Sequence, residues 1–153
     1  MDGLRAVLGR LPTGVAVVTV EGGGQPLGLT IGSLVRLALE PPLVGFAVAR
    51  EAALHELLRE DGACAVSLLA ESQDDLAEHF ARGVPPIGMW AGIETKPAAG
   101  PPWLAGALGW LACSVRDEVA AGTHTLFVCE VTSAVPGDGE RALVRVRGGY
   151  SVA

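Results

Sequence analysis

Two hydroxyl side chains lie three residues apart in the segment 28–33, which reads GLTIGS. Thr30 and Ser33, near the end of a strand, can donate hydrogen bonds to a phosphate or a sugar-alcohol chain. The glycines in this segment would let a ligand approach the backbone closely. Ordinary strand and bulge chemistry produces the same pattern, so the segment alone leaves a structural and a ligand-binding interpretation open.

His124 is the second residue that could do chemistry, and it begins the segment HTLFVCEV at 124–131. Strand alternation places one set of residues on the face that suits a barrel interior, namely Thr125, Phe127, Cys129 and Val131. The opposite face mixes apolar and ionisable side chains, namely His124, Leu126, Val128 and Glu130. A dimer interface that borders a ligand pocket has this mixed character. A lone strand histidine is also commonly structural, so both roles stay open.

Three helices are predicted around these residues. Helical spacing of leucine and valine predicts a short amphipathic helix over 2–11, and a second apolar stripe predicts a helix over 54–61. Ser72 and Asp75 have the pattern of a capping box, which predicts the start of a third helix. Phe80 would lie on the buried stripe of that helix.

Seven segments have the composition and alternation of strands. They are 14–20, 26–39, 43–49, 63–69, 106–119, 124–135 and 142–148. Because these strands outnumber the helices and are joined by hairpin signals, we expect a mainly β, antiparallel barrel with short peripheral helices. Residues 1–153 are expected to form a single domain.

The stretch 83–103 has neither helical nor strand periodicity and is rich in proline and glycine. It carries Trp90 and Trp103. We expect a long surface loop here, because loops of this length within a compact domain usually serve function. Apolar side chains on a flexible stem would suit a lid over a binding pocket.

Composition excludes several classes of protein. Half of the residues are apolar and 18% are charged, which excludes disorder and, with strands such as 14–20 that are apolar on both faces, favours a homodimer. A net charge of -6 with scattered basic residues argues against nucleic acid. Without a signal peptide or a membrane span in the sequence, we expect a cytoplasmic protein that does not bind membranes.

The three cysteines are far apart in the sequence and none belongs to a CxxC pair. This spacing suggests neither a disulfide framework nor a zinc site, so we expect no metal. Each cysteine is expected to be a small buried apolar residue.

Six segments, in this order and spacing, resemble the flavin reductase family of FMN-binding split barrels. They are LPTGVAVVTV at 11–20, GLTIGSL at 28–34, LEPPLVGFAV at 39–48, WLAGALGWLACSV at 103–115, HTLFVCEV at 124–131 and RGGY at 147–150. The resemblance implies a Greek-key split barrel and a homodimer with one flavin per subunit near the interface. FMN or FAD would be reduced by NADH or NADPH and supplied to a partner monooxygenase of a biosynthetic pathway.

The same resemblance implies roles for individual residues. One group would hold the ribityl chain and phosphate, namely Thr30, Gly32, Ser33 and Leu34. A second group would line the flavin ring, namely Pro12, Thr13, Ala47 and Val48. Arg50 and Phe80 complete the expected cofactor-binding residues. His124 matches the histidine on the nicotinamide side and Tyr150 the aromatic residue that closes the site, so these two are the catalytic candidates.

The chain departs from the family pattern where the phosphate would bind. Its residues 50–54 read REAAL, so Arg50 alone remains of the usual basic and hydroxyl residues, and 32–38 carry one hydroxyl, that of Ser33. Each lost charge-assisted contact costs about 1.5 to 3 kcal/mol, which would weaken flavin binding.

The departures leave two enzymatic hypotheses and one minor one. The first is a reductase that treats flavin as a loosely held substrate. The second is a split-barrel enzyme that acts without flavin redox, such as a cyclase or isomerase on an apolar biosynthetic intermediate. The third is a non-catalytic flavin or haem binder. Binding of FMN would separate the flavin hypotheses from the second one.

Overall fold

The computed structural model of the protein describes residues 1–82 and 86–153. In these ranges the helices are α1 (Leu4–Leu8), α2 (Ala53–Asp61), α3 (Asp74–Ala81) and α4 (Pro86–Met89). The strands are β1 (Thr13–Gly14), β2 (Ala16–Val20), β3 (Leu27–Ile31), β4 (Val35–Leu39), β5 (Pro42–Ala49), β6 (Ala63–Leu68), β7 (Thr95–Lys96), β8 (Trp103–Leu104), β9 (Gly109–Ala121), β10 (His124–Pro136), β11 (Leu143–Val146) and β12 (Gly149–Val152). None of these helices has the length and apolarity needed to cross a membrane.

The main sheet is antiparallel and has the strand order β3-β2-β6-β9-β10-β5-β4. A smaller sheet contains β1, β11 and β12, and β7 pairs with β8. The edge strand β3 curls round to lie beside β5, although its ladder partner is β2. We call the line between residues 29–33 and 47–49 the seam. The mainly β, antiparallel split-barrel prediction is confirmed.

The barrel interior is formed by the inward faces of these strands. Phe46 and Phe127 are fully buried, with ring centroids 6.2 Å apart. The inner face expected for β10 is confirmed at Thr125, Phe127 and Cys129, which are buried, while Val131 is half-buried against the core. The three cysteines are buried as expected, and Cys64 lies opposite Cys113 across β6 and β9. The hydrogen bond between these two thiols raises the pKa of Cys64 and lowers that of Cys113.

All five residues of β2 are buried within the chain itself. One face of this strand contributes to the barrel interior, and α2 and α3 pack on the sheet beside it. The apolar character of both faces of 14–20 therefore reflects burial by the chain's own helices. It provides no argument for a homodimer.

Two predicted helix boundaries were wrong. α1 is shorter than 2–11 and its apolar side chains are exposed, including Val7 at 65%. α3 begins at Asp74 with Gln73 as its N-cap, so the capping box of Ser72 and Asp75 does not form. The side chain of Gln73 instead accepts a hydrogen bond from the amide of Ala70 and donates to another loop, which fixes the chain before the helix.

The strand prediction for 26–39 was also wrong, because the chain leaves the sheet at 32–34 and splits this segment into β3 and β4. The break falls at Gly32 and Ser33, which are turn-favouring residues, but the apolar residues on both sides of them continue the strand-like pattern. The strand β12 was not predicted at all. It pairs with β11 through a tight turn at Arg147 and Gly148, both of which have positive φ.

The long-loop prediction for 83–103 is correct in part, because 90–94 and 97–102 have no regular secondary structure, whereas 83–85 lie outside the described residues. The rest contains α4, β7 and the start of β8. Trp103 is buried and stacks on Trp110, with ring centroids 6.1 Å apart. Trp90 donates through its indole N–H to the carbonyl of Pro26 at 2.7 Å. Both predicted lid tryptophans are thus anchored to the body of the protein.

Candidate functional site

A groove of about 420 Å³ opens along the seam. Residues from β3 and its exit loop, from β5, from the start of α2 and from the first residue of β10 line it. They are Leu29, Thr30, Ile31, Gly32, Ser33, Ala47, Val48, Ala49, Ala52 and His124. The groove exists because β3 and β5 lie side by side here instead of forming a continuous ladder. It gathers six of the twelve residues expected at the site.

Ser33 holds the seam together. β4 pairs with β5 only between Pro42 and Gly45, so Ala47 lies beyond the reach of that ladder. The amide of Ala47 donates to Ser33 Oγ at 3.0 Å, and Ser33 Oγ donates to the carbonyl of Ala47 at 3.3 Å. One side chain therefore replaces both ladder hydrogen bonds of Ala47. Ser33 has a structural role whether or not it also contacts a ligand.

Thr30 is likewise bonded within the protein. Its hydroxyl donates to the carbonyl of Ala77 in α3 at 2.7 Å, which ties β3 to that helix. A hydroxyl has a single donor, so Thr30 in this state can only accept a hydrogen bond from a ligand. A phosphate needs donors. Both hydroxyls of the segment 28–33 therefore have structural roles, as one of the two open interpretations predicted.

The glycines of the segment allow close packing inside the protein. A Cβ on Gly28 would lie 2.7 Å from the Phe80 ring, and a Cβ on Gly32 would lie 2.9 Å from the hydroxyl of Thr13. Gly28 thus admits α3 against the sheet. Gly32 brings Thr13, in β1, against the wall of the groove.

The start of α2 gives the groove a positive end. Its N-cap residue Ala52 has no side-chain oxygen, so the first-turn amides of Ala53 and Leu54 gain no cap from it. Such a helix end attracts anions through these amides and the helix dipole. Arg50 is exposed at the same end, and its amide donates to the carbonyl of Thr123 at 3.0 Å. Of these residues only Ala52 lines the groove, so Arg50 and the uncapped amides lie beside its end, and the first turn of α2 also carries Glu56.

His124 lies at the rim of the groove, opposite Ala49 across β5 and β10. It is exposed on the outer face of the barrel, as its strand phase predicted. Its Nδ1 is hydrogen-bonded to the hydroxyl of Thr123 at 3.0 Å. This contact orients the ring, and the Nε2 edge can face a molecule in the groove.

His55 was not predicted as a functional residue. It stabilises the site from the barrel interior. It is 4% exposed, and its Nε2 is hydrogen-bonded to the hydroxyl of Thr125 at 2.7 Å. The bond connects α2 to the residue that follows His124. His55 also bonds Glu56 through Nδ1, which lowers the pKa of the Glu56 carboxyl. Sequence periodicity gave no signal of this bond, since its partner lies 70 residues away.

The small sheet places Tyr150 two strands away from Thr13, which lies at the edge of the groove. Thr13 pairs with Arg145, and Arg145 pairs with Tyr150, so the three side chains share one face. The Arg145 guanidinium lies 4.9 Å from the centroid of the Tyr150 ring. Because Thr13 contacts the position of Gly32, this row of side chains begins at the groove. Pro12, exposed just before β1, lies at the same edge.

Six of the expected site residues do not line the groove, namely Pro12, Thr13, Leu34, Arg50, Phe80 and Tyr150, and two of these lie well away from it. Leu34 lines a different cavity of about 160 Å³, between β1, β2 and β11. Phe80 is 1% exposed and packs on Trp90 in the core, with ring centroids 5.2 Å apart. Their contact with a ligand stays a prediction that this arrangement does not support.

Comparison with known proteins gives a consistent result. Residues 8–153 match the model of a family described as the flavin reductase like domain. The chain is 39% identical over 138 residues to an NADH-dependent FAD reductase of Streptomyces globisporus, covering 86% of this chain and 74% of that protein. It is 34% identical over 135 residues to the reductase component of a 4-nitrophenol 4-monooxygenase/4-nitrocatechol 2-monooxygenase of Rhodococcus opacus, covering 88% and 72%.

A solved structure shows the same fold. The NADH:FAD oxidoreductase SgcE6 of Streptomyces globisporus C-1027, in complex with NAD and FAD fragments, superposes with a TM-score of 0.91. The two sequences are 34% identical, and the match covers 97% of this chain and 89% of that one.

We expect Ser33→Ala to loosen the seam. Losing both hydrogen bonds to Ala47 should lower the free energy of unfolding by about 1 kcal/mol. Urea denaturation measures this loss, and amide hydrogen exchange at Ala47 should become about tenfold faster. Ser151→Ala, in an exposed strand position, is the matched control and should change stability by less than about 0.5 kcal/mol. Unchanged exchange at Ala47 would show that Ser33 does not hold the seam.

Proposed function

The chain belongs to the flavin reductase-like family, and we propose that its seam groove is the flavin site of an NAD(P)H-dependent flavin reductase. The enzyme is an oxidoreductase that supplies reduced FMN or FAD to a partner monooxygenase. One observation carries the assignment to this groove: a single cleft combines a positive helix start, a wall of small residues and a histidine at its rim. When bound, the flavin supplies the hydride acceptor.

The residues of the seam fit the flat part of a flavin. Ala47 and Ala49 present only methyl groups to the groove, and Val48 contributes its backbone there because its side chain is buried in the barrel interior. Gly32 and Thr13 form the opposite edge, with Pro12 beside them. Planar rings bind best against such flat, mainly apolar surfaces with a few polar groups at the rim. We therefore keep Pro12, Thr13, Ala47 and Val48 as the proposed ring contacts.

The phosphate of the flavin would bind at the start of α2. The amides of Ala53 and Leu54 and the guanidinium of Arg50 are the donors at that end. The hydroxyls of Thr30 and Ser33 already donate within the protein, so they would accept from the ribityl chain or exchange partners. A site with few dedicated phosphate donors suits a flavin that is bound, reduced and released.

His124 and Tyr150 have positioning roles in this proposal. His124, oriented by Thr123, would hydrogen-bond the nicotinamide amide or the flavin edge and bring the two rings within hydride-transfer distance. Tyr150 would close the flank of the site from the small sheet. The hypothesis of a flavin-independent cyclase or isomerase gains no support from the compared proteins.

The proposed homodimer would form over the outer face of β4 and β5. Every residue of β4 is exposed, and Leu39 is 91% exposed. Val35, Leu37 and Leu126 converge over Gly45, where their carbon atoms lie 3.2 to 3.6 Å from the position of its Cβ. This apolar face continues into the seam groove through Ala47. A partner subunit placed here would border the flavin, which supports an interface next to the site.

The proposal also includes a cytoplasmic location and a single domain over residues 1–153. Seven strands form one continuous sheet, namely β2, β3, β4, β5, β6, β9 and β10. This supports treating residues 1–153 as a single domain. The three thiols are free and buried, as is common in the reducing cytoplasm that also holds the nicotinamide nucleotides.

We expect His124→Asn to lower the rate of NADH-dependent flavin reduction by about 10- to 100-fold, because the nicotinamide is no longer held in register. The melting temperature should not change, since His124 is exposed. Both quantities are measured on the same sample. Glu140→Gln, at an exposed position outside the groove and outside the proposed interface, is the control and should keep full activity. A lower melting temperature with unchanged turnover per folded molecule would assign His124 a purely structural role.

We expect the Leu37→Asp/Leu39→Asp variant to be a folded monomer, because two charges on an apolar interface oppose association. Sedimentation velocity at micromolar concentration measures the mass of the wild type and the variant. Val152→Asp, which places one charge on an exposed apolar position of the small sheet, should remain dimeric. A monomeric wild type of normal stability would overturn the dimer.

A further inference from the structure

A second groove, of about 1000 Å³, lies between α1 and the turn that joins β11 to β12. Four arginines line it, namely Arg5, Arg10, Arg145 and Arg147. Among its described lining residues there is no aspartate or glutamate. The chain has 11 basic residues and a net charge of -6, so this concentration of positive charge stands out from the rest of the molecule. We call it the arginine groove.

None of the ion pairs in the described ranges includes one of these four arginines. Arg59, Arg116 and Arg141 each pair with glutamates elsewhere on the surface. The four guanidinium groups of the arginine groove are exposed, and that of Arg145 lies over Tyr150. A guanidinium donates two parallel hydrogen bonds to a phosphate, and several together suit a ligand with more than one phosphate.

The backbone of Arg147 is conformationally strained. Its φ is 52°, the sole positive value among the described residues other than glycine. A non-glycine residue in this region is uncommon, and such strain occurs often at ligand sites. The amide of Arg147 donates to the carbonyl of Gly9, which fastens the turn to the end of α1. The two sides of the groove are thus fixed relative to each other.

The arginine groove adjoins the seam groove. Arg145 lines the former, and its cross-strand neighbour Thr13 contacts the position of Gly32 in the latter. A ligand with a ring in the seam could therefore extend past β1 towards the arginines. The groove also offers apolar side chains, Leu4 and Leu8, for a planar base. FAD and NAD(P)H both have this form, with a second nucleotide joined through a pyrophosphate.

We infer that the arginine groove binds the adenosine diphosphate portion of a dinucleotide. The choice of a dinucleotide rests on the proposed reductase function, whereas the affinity for nucleotide phosphates rests on the arginines. FAD and the nicotinamide nucleotide are the two possible sources of this portion. The groove would make the enzyme favour FAD over FMN, or would strengthen binding of NADH or NADPH.

Calorimetric titration with ADP tests the groove without requiring flavin or turnover. We expect wild type to bind ADP, and both Arg5→Gln/Arg10→Gln and Arg145→Gln/Arg147→Gln to raise its Kd about tenfold or more. The control, Arg82→Gln/Arg141→Gln, changes the net charge equally at exposed positions outside the groove and should retain wild-type affinity. Circular dichroism melting checks that each variant is folded. Absence of ADP binding, or equal affinity in groove and control variants, would overturn the inference.

Two further titrations identify the source of the adenosine diphosphate. If the flavin supplies it, the groove variants raise the Kd for FAD and leave that for FMN unchanged. If the nicotinamide nucleotide supplies it, they raise the KM for NADH or NADPH with FMN as acceptor. A wild type that binds ADP through these arginines but oxidises neither nucleotide would refute the reductase and retain the groove. Reductase activity together with ADP binding that does not depend on these arginines would retain the reductase and refute the groove.

Discussion

The rest of the structure depends on how Ala47 satisfies its backbone hydrogen bonds. At this residue β5 has passed the end of β4 and does not form a ladder with β3, so its amide and carbonyl would lack partners on that side. Ser33 supplies both partners with one hydroxyl. A buried or half-buried backbone group left without a partner is costly, so this side chain allows the barrel to remain split. The split is what creates a cleft.

The charge and shape of the cleft are set by the helix and strands that lie at it. α2 begins there without a side-chain cap, which leaves a positive end, and β5 presents small side chains that leave room for a flat ring. His55 fixes α2 to β10 from within the barrel, so the helix start and His124 keep a constant spacing. The outer face of β4 and β5 continues the same surface as an apolar patch. Binding of cofactor and association of subunits would therefore involve one continuous face.

Sequence reasoning succeeded where periodicity carries the information. The inner and outer faces of β10 followed from strand alternation, and the order of six segments indicated the family and fold. It failed where a contact partner decides the structure. Apolar residues continue on both sides of Gly32 and Ser33, so the pattern ran across the break at 32–34. Gln73 fixes the chain before α3 by donating to the carbonyl of Ala105, and Trp90 is anchored by Pro26, 64 residues away. Likewise, the hydroxyls of Thr30 and Ser33 suggested ligand donors, and only the fold shows that both already donate within the protein.

Backbone amide shifts during a titration with FMN test most directly that the seam is the flavin site. The account predicts the largest shifts at Gly32, Ser33, Ala47 and Ala49 and in the first turn of α2, with little change in β7 and β8. Shifts that concentrate away from the seam, or no shifts at millimolar FMN, would contradict it.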